Sequence, residues 1–540
     1  MLKSILMGSV VGSAMLATSA FAAGTHPTTG ENLADEQVFT YRVLDEHSSV
    51  DPQIVEDVSG SELVRGLFEG LYNQDNNGNL VPGVALSHEV SEDKKTYTFK
   101  LRKEAKWSDG KPVTAGDFVY AWQRLADPKT ASQYAWFVEL MSLENASDIV
   151  NGKKEPSTLG VTALDDLTLE VKLTDALPYF ALMTTHGSTF PTPKWAIEKH
   201  GKDWTKPENI VSNGAYVLKV HKPQEISTMV RNEKYWDNEN TIINEVNAVI
   251  INDENVALTR YLAGELDRTE IPAGQYPSLK KQYPNQTTVM PRLCSYYYYV
   301  NVSEGGPEAL KDVRVRKALS YALDRDVITE RILQEGQMPA YTFTPEVTGG
   351  FTVPSIDYAD MSQKERDAKA EELLAEAGYG KDNPLDLNLI YNTDEGHKKV
   401  AIAATQMWKQ KLGVKVTMNN MEWKTFLTER QNQNFDLGRA GWCGDYNEAS
   451  TFLDTLRSTS GMNDSKYNSA DYDKLLDAAK TAEDAQPLYT QAEELLAADM
   501  PIIPIYHYTE GYMFQTSLKN WPVKNAEQNW YAKNLYKVAE

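Results

Sequence analysis

Alternating apolar and polar residues predict a strand in the segment TYTFKLR, residues 96–102. Tyr97, Phe99 and Leu101 fall on one face of an extended chain, and the polar residues between and after them fall on the other. The residues that follow, KWSDGKPVTAGDF, are typical of a turn that leads into a helix. We therefore expect a half-buried strand followed by a helix in this part of the chain.

Helical spacing of apolar residues dominates further along the chain. The segment DVRVRKALSYALDRDVITERIL, residues 312–333, predicts two helical pieces. The segment SQKERDAKAEELLAEAGYG begins with a capping box from Ser362 to Glu365 and ends at Gly378, which predicts one complete helix between them.

A β-α-β unit is predicted next. LDLNLIYN alternates as a strand, and VKVTMNNM is a second strand. Between them, the segment HKKVAIAATQMWKQKLG places Val400, Ala404, Met407 and Trp408 on one helical face. Strands and helices that alternate in this way favour α/β lobes over a sandwich or a bundle.

The loop GWCGDYNEAS, residues 441–450, follows a predicted helix, EWKTFLTERQNQ, and a predicted short strand, FDLGRAGW. In open α/β sheets, ligands usually bind at the carboxyl ends of strands. The loop and the strand before it hold a cation, an anion, an aromatic ring and a rare thiol close together: Arg439, Asp445, Trp442 and Cys443. We expect a binding site here.

Composition narrows the class of protein. A chain of 540 residues and 60.6 kDa is too long for one core, so two to four domains are expected. A hydrophobic content of 41% argues against disorder, and a formal charge of -22 without a run of Lys or Arg argues against a nucleic-acid partner. No repeat or flexible linker stands out, so several segments are expected to cross between the lobes.

The N-terminus predicts export. Residues 1–22 combine one lysine, a short apolar stretch and the small-residue cleavage pattern Ala20-Phe21-Ala22, which is typical of a signal peptide cleaved near Ala22. The alternative is an N-terminal membrane anchor. No cysteine lies near the cleavage site, so a lipoprotein is not expected.

Cys294 and Cys443 are the two cysteines of the chain. Export permits a disulfide between them, which would stabilise the fold by at most roughly 5 kcal/mol in the chain-entropy model. Two free thiols or a metal pair are the alternatives. No His or Cys companions stand at metal-ligand spacing, so the sequence favours the disulfide and predicts no metal site.

Segments spread over nearly the whole chain carry a resemblance to a known family. The matching segments are VDPQIVEDV (50–58), LFEGL (67–71), TYTFKLRKEAKWSDGKPVTAGDFVYAWQR (96–124), VSNGAYVL (211–218), YLAGELD (261–267), DVRVRKALSYALDR (312–325), EWKTFL (422–427) and RAGWCGDYNE (439–448). In these segments the chain resembles the peptide-binding branch of the extracytoplasmic solute-binding proteins that serve ABC importers. The last segment, RAGWCGDYNE, is specific to the oligopeptide-binding members.

The resemblance implies an α/β, bilobal periplasmic-binding-protein-like fold, a hinged trap with an additional third domain. It also implies the disulfide Cys294–Cys443. The implied boundaries are residues 1–22 for the signal peptide, 23–68, 193–293 and 512–540 for a discontinuous lobe I, 69–192 for lobe II, and 294–511 for lobe III.

The resemblance assigns the two ends of a bound peptide to charged residues. Asp445 matches the residue that pairs with the peptide's α-amino group. Arg439, Arg430 and His397 match positions that receive carboxylates of peptides of different lengths, with Arg331 as a possible fourth. A planar guanidinium suits a carboxylate because it donates two parallel hydrogen bonds. Local sequence alone would make Asp445 a surface or helix-capping residue and His397 a helix-start residue.

The middle of the peptide is expected to pair as an added strand. The resemblance places this pairing around Val58 and around Gly441 to Cys443. Aromatic walls tolerate many side chains because they offer contact area without demanding one partner. Ordinary core packing is the alternative for the tryptophans. The residues that the resemblance places along the groove are Glu56, Tyr134, Trp423 and Trp442.

The implied function is a periplasmic component that binds short peptides of about two to five residues through their termini and backbone. It would deliver them, as a monomer, to an inner-membrane ABC permease with its ATPase subunits. No cofactor is expected, and the chain has no Walker A loop. A murein-tripeptide binder of the same branch is the nearest alternative. A secreted peptidase or amidase is the second alternative. The chain has no HExxH or GxSxG motif, so no enzyme is expected.

Overall fold

The computed structural model describes residues 24–380, 382–482 and 484–539, so the predicted signal peptide lies outside the described residues. The strands, in chain order, are β1 Val38–Val43, β2 Tyr72–Gln74, β3 Leu80–Pro82, β4 Ala85–Val90, β5 Thr96–Leu101, β6 Val161–Asp165, β7 Thr168–Lys172, β8 Tyr216–Lys222, β9 Ile226–Arg231, β10 Glu245–Ile250, β11 Arg268–Glu270, β12 Thr287–Val300, β13 Met338–Pro339, β14 Asp386–Asn392, β15 Lys415–Met421, β16 Leu437–Cys443, β17 Ile502–Phe514, β18 Leu518–Lys519 and β19 Tyr536–Lys537.

Helices connect the strands throughout the chain. One further segment, Val327–Leu333, is a π-helix. The α-helices, in chain order, are α1 Val58–Leu67, α2 Ala115–Ala126, α3 Phe137–Leu140, α4 Ala146–Val150, α5 Phe180–Met183, α6 Lys194–His200, α7 Glu254–Leu262, α8 Tyr276–Gln282, α9 Glu308–Lys311, α10 Val313–Tyr321, α11 Gln363–Glu376, α12 Glu395–Leu412, α13 Trp423–Gln431, α14 Ser450–Leu453, α15 Ala470–Thr481 and α16 Gln486–Asp499.

One large mixed sheet organises most of the chain. Its strand order is β15-β14-β16-β12-β17-β11-β1-β10-β9-β8, with β13 paired to β17. Strand β14 runs parallel to β15, and β1 runs parallel to β10, whereas the central pair β12 and β17 is antiparallel. A separate antiparallel sheet has the order β4-β5-β7-β6. Mixed sheets with helical connections confirm the predicted α/β class.

The patterned segments form the elements that their spacing predicts. Tyr97, Phe99 and Leu101 of β5 are buried, and α2 begins immediately after the turn. Helix α11 has the capping box between Ser362 and Glu365. Burial of the apolar face provides most of the stability of such amphipathic elements, which is why the pattern locates them reliably.

The predicted β-α-β unit is present as β14, α12 and β15. Val400, Ala404 and Trp408 are fully buried against the sheet, and Met407 packs at the edge of the same core. Asp394 caps α12 by accepting a hydrogen bond from the backbone N–H of His397. The unit presents the carboxyl ends of β14 and β15 next to β16, the strand that precedes the expected binding loop.

Two long strands join the two halves of the large sheet. Strands β12 and β17 pair from Thr287↔Met513 to Tyr299↔Ile502. The implied boundaries at 293/294 and 511/512 both fall inside these strands. A flexible tether is therefore absent at these two positions, and the crossing segments are themselves hydrogen-bonded to each other.

A disulfide joins Cys294 to Cys443, as the sequence favoured over free thiols or a metal pair. The two residues face each other in register between β12 and β16. The bond fixes the end of β16 directly before the expected binding loop.

No helix in residues 24–380, 382–482 and 484–539 is both long and apolar enough for a membrane span.

Candidate ligand-binding site

Strand β16 has a free edge next to the expected binding loop. On one side it pairs with β12 along its whole length. On the other side, β14 pairs with it at Leu437 and Gly438, and the described residues show no partner beyond that point. Residues 439–443 can therefore accept an additional strand on this edge.

The register shows which backbone groups point to that edge. Cys294 and Cys443 have Cα atoms 4.0 Å apart, which is the close spacing of a non-hydrogen-bonded antiparallel pair. The adjacent pair is hydrogen-bonded, since the N–H of Gly444 donates to the carbonyl oxygen of Leu293 over 2.8 Å. By alternation, the backbone N–H and C=O groups of Cys443 and Gly441 both point away from β12. Both residues lie in the segment around Gly441 to Cys443, one of the two segments that the resemblance places along the peptide backbone; the other is the segment around Val58.

Asp445 follows the free edge and is nearly buried. Its Oδ1 accepts a hydrogen bond from the Tyr134 hydroxyl over 3.4 Å and lies 3.3 Å from Nε2 of His186. Its own N–H donates to Oγ1 of Thr451, which fixes the loop. Its buried Oδ2 has no hydrogen-bond partner in the described part of the chain. The carboxylate is thus held by one oxygen and can receive a donor at the other.

Aromatic rings form one wall beside Asp445. The ring of Tyr134 stacks at 6.4 Å from that of Trp442 and at 6.0 Å from that of Trp136. His186 lies 4.7 Å from Tyr134, measured between ring centroids. The indole N–H of Trp442 donates to the Thr451 carbonyl, so the ring orientation is fixed by the same loop. The Trp442 ring therefore packs in the protein core and also forms part of the aromatic wall beside Asp445.

Arg439 lies on β16 at the opposite end of the free edge. Its guanidinium donates to the Tyr508 hydroxyl over 2.7 Å and to Oδ1 of Asn392 over 3.3 Å, and it lies 5.0 Å from the centre of the Tyr296 ring. These partners are neutral, and the buried Nε has no hydrogen-bond partner among the described residues. The cation is oriented by its surroundings and keeps a donor for an anionic ligand.

His397 lies beside Arg439 at the start of α12. Its Nδ1 is 3.3 Å from Oδ1 of Asp394, and its ring lies 5.5 Å from that of Tyr296. Burial lowers the pKa of His397 to about 3, the positive charge of Arg439 acts in the same direction, and Asp394 opposes both. The imidazole is neutral at physiological pH, so it can offer a hydrogen bond but no charge.

Arg430 is already paired within the protein. Its Nε donates to Oδ2 of Asp464 over 2.6 Å, and both side chains are largely buried. Its guanidinium also lies 5.5 Å from the centre of the Tyr299 ring. An incoming carboxylate would therefore meet an arginine that is already hydrogen-bonded to a carboxylate, whereas Asp394 acts on Arg439 only through its charge, without a hydrogen bond between the two.

Glu56 connects two distant parts of the chain. Its Oε2 accepts a hydrogen bond from the Gln431 side chain over 3.1 Å. Burial raises the pKa of the Glu56 carboxyl to about 7, although the positive charge of Arg430 opposes this. Trp423, the first residue of α13, is half-buried and stacks at 5.8 Å on Phe426.

Two residues named from the resemblance, Val58 and Arg331, lie in surroundings that do not match their expected roles. Val58 is the first residue of α1, and its side chain is 44% exposed, so strand-like pairing could use only the chain before it. Arg331 is exposed on the π-helix Val327–Leu333 and contacts none of the residues around Arg439.

Several neighbours of the site were missed by sequence reasoning. The residues His186, Trp136, Tyr508, Asn392 and Asp464 contact the named residues, but no sequence motif marks them as site residues, although Asn392 ends the predicted strand LDLNLIYN. His186 stands in a short turn, and only the tertiary fold brings it to Asp445. No local signal in the sequence distinguishes these residues from ordinary polar or core positions.

The comparison with family models identifies the family. The model described as "Bacterial extracellular solute-binding proteins, family 5 Middle" matches residues 79–464. The chain belongs to this family.

Relatives from other bacteria match almost end to end. The periplasmic murein peptide-binding protein MppA of Escherichia coli is 46% identical over 513 residues, which is 94% of this chain and 95% of that protein. The periplasmic oligopeptide-binding protein OppA of Salmonella typhimurium is 45% identical over 539 residues, 99% of this chain and 98% of that protein.

Solved structures of relatives also match. The E. coli murein tripeptide-binding protein MppA superimposes with a TM-score of 0.92 at 46% identity, covering 94% of this chain and all of that one. Haemophilus influenzae OppA in complex with the peptide RPPGFSPFR superimposes with a TM-score of 0.91 at 40% identity, covering 94% of this chain and all of that one. These neighbours confirm the predicted bilobal α/β fold with an additional domain.

The conformation resembles that of the peptide complex. An unliganded open form of MppA, 45% identical to this chain, superimposes with a TM-score of only 0.66, although it covers 95% of this chain and 99% of that one. Sequence similarity is almost unchanged between the two MppA structures, so the difference in TM-score reflects the arrangement of the lobes. The arrangement of this chain is therefore closer to that of the H. influenzae OppA–peptide complex than to that of the open form of MppA.

Proposed function

We propose that this chain is the periplasmic solute-binding component of an ABC peptide importer. It binds short peptides in extended form through their termini and backbone, with little dependence on side chains. Relatives of 45–46% identity that cover nearly the whole chain are named as periplasmic binding proteins for oligopeptides or murein peptides, which supports the proposal.

The observation that carries the proposal is a pair of oppositely charged side chains at the two ends of one free strand edge, each with one buried polar atom that lacks a hydrogen-bond partner among the described residues. Oδ2 of Asp445 has no partner in the described part of the chain, and Nε of Arg439 has none either. A buried charge without a partner is costly, so a ligand that supplies an ammonium at one end and a carboxylate at the other would relieve both costs. A free peptide is such a ligand.

The dimensions of the edge suit a short peptide. Arg439 to Cys443 spans about 13 Å of extended chain, and Asp445 lies two residues further. An extended peptide of roughly three to five residues is about 10–17 Å long, which matches the strand part of this distance. The outward-facing backbone groups of Gly441 and Cys443 would then pair with the peptide backbone, which presents the same groups whatever its side chains.

We propose Arg439 as the principal receptor of the carboxylate. His397 is neutral because burial lowers the pKa of its imidazole, and Arg430 is neutralised by Asp464. Arg430 would receive a carboxylate of a different peptide length only in competition with Asp464. Arg331 takes no part in this proposal, because it contacts none of the residues around Arg439.

Calorimetry with end-blocked peptides tests the proposal. The protein is first unfolded and refolded to remove any co-purified ligand, and tri-alanine, N-acetyl-tri-alanine and tri-alanine amide are titrated separately. Each blocked form should bind roughly 10–100-fold more weakly, because each removes one charged hydrogen-bonded contact. Equal affinity for all three peptides would contradict recognition through the termini.

A murein tripeptide is the alternative ligand, favoured by the similarity to MppA. Both ligands have free termini, so end-blocking does not separate them. Competition does: titrating a murein tripeptide against bound tri-alanine, together with mass spectrometry of ligands released from the purified protein, distinguishes them. Release of varied peptides supports the general binder, and release of murein tripeptide alone supports the specialised one.

We further propose binding without catalysis, periplasmic location and a monomer that delivers peptides to an inner-membrane permease with its ATPase subunits. The relatives are named binding proteins and periplasmic. Peptides incubated with the protein should stay intact by mass spectrometry, and cleavage products would contradict this part. Osmotic-shock fractionation should release the chain with an N-terminus near Ala23, whereas retention of residues 1–22 would contradict cleavage.

A further inference from the structure

A second cluster of chemically active side chains lies in the loop after β1 and near the end of β8, at residues that the peptide site does not use. The loop after β1 carries Glu46 and His47, and His221 stands near the end of β8. The register places the end of β1, the end of β10 and the turn between β8 and β9 at one end of the sheet. The loop after β1 reaches this turn, so residues distant in sequence meet.

The three side chains converge on one point. Nδ1 of His47 lies 3.3 Å from Oε1 of Glu46, and Nε2 of His221 lies 3.5 Å from the same oxygen. One ligand atom from each residue lies within 4.8 Å of the other two. The two imidazole rings are 4.9 Å apart and inclined to each other, so they do not stack.

These contacts do not satisfy the carboxylate. Glu46 is 2% exposed, and its Oε1 has no hydrogen-bond partner among residues 24–380, 382–482 and 484–539, although two ring nitrogens approach it. Its other oxygen, Oε2, accepts a short hydrogen bond of 2.6 Å from the backbone N–H of Gln224. A buried, oriented carboxylate oxygen therefore points into a space between two imidazole nitrogens, where an unsatisfied charge is costly.

The ring of His221 is also oriented by a contact at Nδ1, its other nitrogen. Its Nδ1 lies 3.0 Å from the hydroxyl oxygen of Ser227, a buried residue on β9. When Nδ1–H donates to this oxygen, the lone pair of Nε2 points toward Glu46. Histidines that bind metal ions are usually fixed in this way by a partner at the other ring nitrogen.

We propose that Glu46, His47 and His221 form a binding site for a divalent transition-metal ion of the zinc type. Zinc prefers a ligand set of two imidazoles and one carboxylate. Hard ions such as Ca²⁺ or Mg²⁺ prefer oxygen ligands instead. In a tetrahedral zinc site with bonds of about 2.0–2.1 Å, neighbouring ligand atoms lie about 3.3 Å apart. The two distances to Oε1 agree with that spacing, and a fourth position is left for water.

The ligands of this site are not among the residues proposed for the peptide site. They lie in the loop after β1 and in β8, and the proposal does not depend on peptide binding. The loop does reach the surroundings of Arg439, since Asp45, the residue before Glu46, forms a side-chain hydrogen bond with Asn392, a partner of Arg439. The sequence predicted no metal site because His47 and His221 stand in different segments, without the short spacing that marks a metal motif.

Metal analysis of the tag-free mature chain tests the proposal. The protein is treated with EDTA, incubated with ZnCl₂, passed through gel filtration and analysed by inductively coupled plasma mass spectrometry. The wild type should retain one zinc ion per chain, and His221→Gln should retain none while binding tri-alanine as the wild type does. His200→Gln is the matched control, since His200 lies outside the cluster at the end of α6, and it should retain zinc fully.

Two further measurements keep the test decisive if His221→Gln folds poorly. Ser227→Ala, which removes only the orienting hydroxyl, should weaken zinc affinity by roughly 10–100-fold. Co²⁺ added to the wild type should give the intense visible absorption of tetrahedral coordination. Absence of retained zinc in the wild type, equal retention in wild type and His221→Gln, or a pale octahedral Co²⁺ spectrum would each overturn the proposal.

Discussion

At the scale of single residues, Asp445 and Arg439 share one property. Each is largely buried, each accepts or donates a hydrogen bond with a tyrosine hydroxyl, and each keeps one polar atom without a hydrogen-bond partner in the described part of the chain. Ordinary structural ion pairs differ from this, as Arg430 and Asp464 show, because those two charges satisfy each other. A residue that remains unsatisfied after folding is the better candidate for holding a ligand.

The neutral state of His397 predicts how stability depends on pH. Burial lowers the pKa of His397 from its ordinary 6.5 to about 3, so the unfolded chain binds a proton between these values that the native chain does not. The native state therefore loses stability as pH falls below 6.5. Between pH 7 and pH 5, His397→Gln should lose about 1–2 kcal/mol less than the wild type, measured by urea unfolding.

His200→Gln is the control for this measurement, because His200 has no shared partner with His397. Its unfolding free energy should follow the wild type at both pH values. An identical pH dependence in His397→Gln and the wild type would show that His397 is not neutral in the native state.

At the scale of elements, β16 determines the geometry of the site. β14 stops pairing with it after Gly438, and the disulfide to β12 fixes its other end. A strand that is paired on one side and free on the other provides backbone groups at a regular spacing, without requiring particular side chains in the ligand. In the proposed binding mode, this element would recognise the peptide backbone, and its two flanking charges would recognise the peptide's ends.

Gly441 is predicted to be needed for the position of Arg439. A Cβ at Gly441 would lie 3.1 Å from the Tyr508 hydroxyl oxygen and 3.3 Å from a terminal nitrogen of Arg439. Gly441→Ala should therefore displace the guanidinium and weaken tri-alanine binding by roughly 10-fold, measured by calorimetry. Gly305→Ala, at a position with open space around it, should bind as the wild type does. Unchanged affinity in Gly441→Ala would contradict close packing between Gly441 and Arg439.

The disulfide is predicted to serve stability more than binding. Its two cysteines are 149 residues apart in sequence, so the bond restricts the unfolded chain strongly. The double variant Cys294→Ala/Cys443→Ala should lose about 2–5 kcal/mol of unfolding free energy, measured in guanidinium chloride. Its affinity for tri-alanine should change less than 10-fold, since β12 and β16 pair along their whole length. A loss of binding with unchanged stability would reverse these roles.

Sequence patterns located the elements better than they located the site's surroundings. The strands and helix from β14 to β15 follow from local periodicity, since each buries its own apolar face. The free edge of β16 does not follow from local periodicity, because it depends on where β14 stops pairing with β16. The contacts of Asp445 with Tyr134 and His186, and the neutralisation of Arg430 by Asp464, join distant segments for which no local pattern exists.

At the scale of the whole molecule, contacts between distant segments hold the closed arrangement. Asp445 contacts Tyr134 and His186, which fall in the proposed lobe II, and Glu56 of the proposed lobe I accepts a hydrogen bond from Gln431 of the proposed lobe III. The lobe boundaries remain a proposal. The paired strands β12 and β17 cross between the proposed lobes I and III, so we propose that closure takes place by bending at this crossing.

Closure on ligand binding is predicted to be measurable in solution. Small-angle X-ray scattering of the refolded, ligand-free protein should show a larger radius of gyration than the same sample with excess tri-alanine, because the ligand stabilises the closed form. N-acetyl-tri-alanine amide at the same concentration is the control and should cause little change. Equal radii with and without tri-alanine would contradict ligand-driven closure.

The central claim is that the carboxylate of Asp445 receives the α-amino group of the ligand. A thermodynamic cycle tests it directly: tri-alanine and N-acetyl-tri-alanine are titrated into the wild type and into Asp445→Asn, with Asp166→Asn as the control for an exposed carboxylate. The wild type and Asp166→Asn should bind the acetylated peptide roughly 10–100-fold more weakly than tri-alanine, whereas Asp445→Asn should bind both peptides with similar, weak affinity. The same preference for the free amine in Asp445→Asn as in the wild type would contradict the claim.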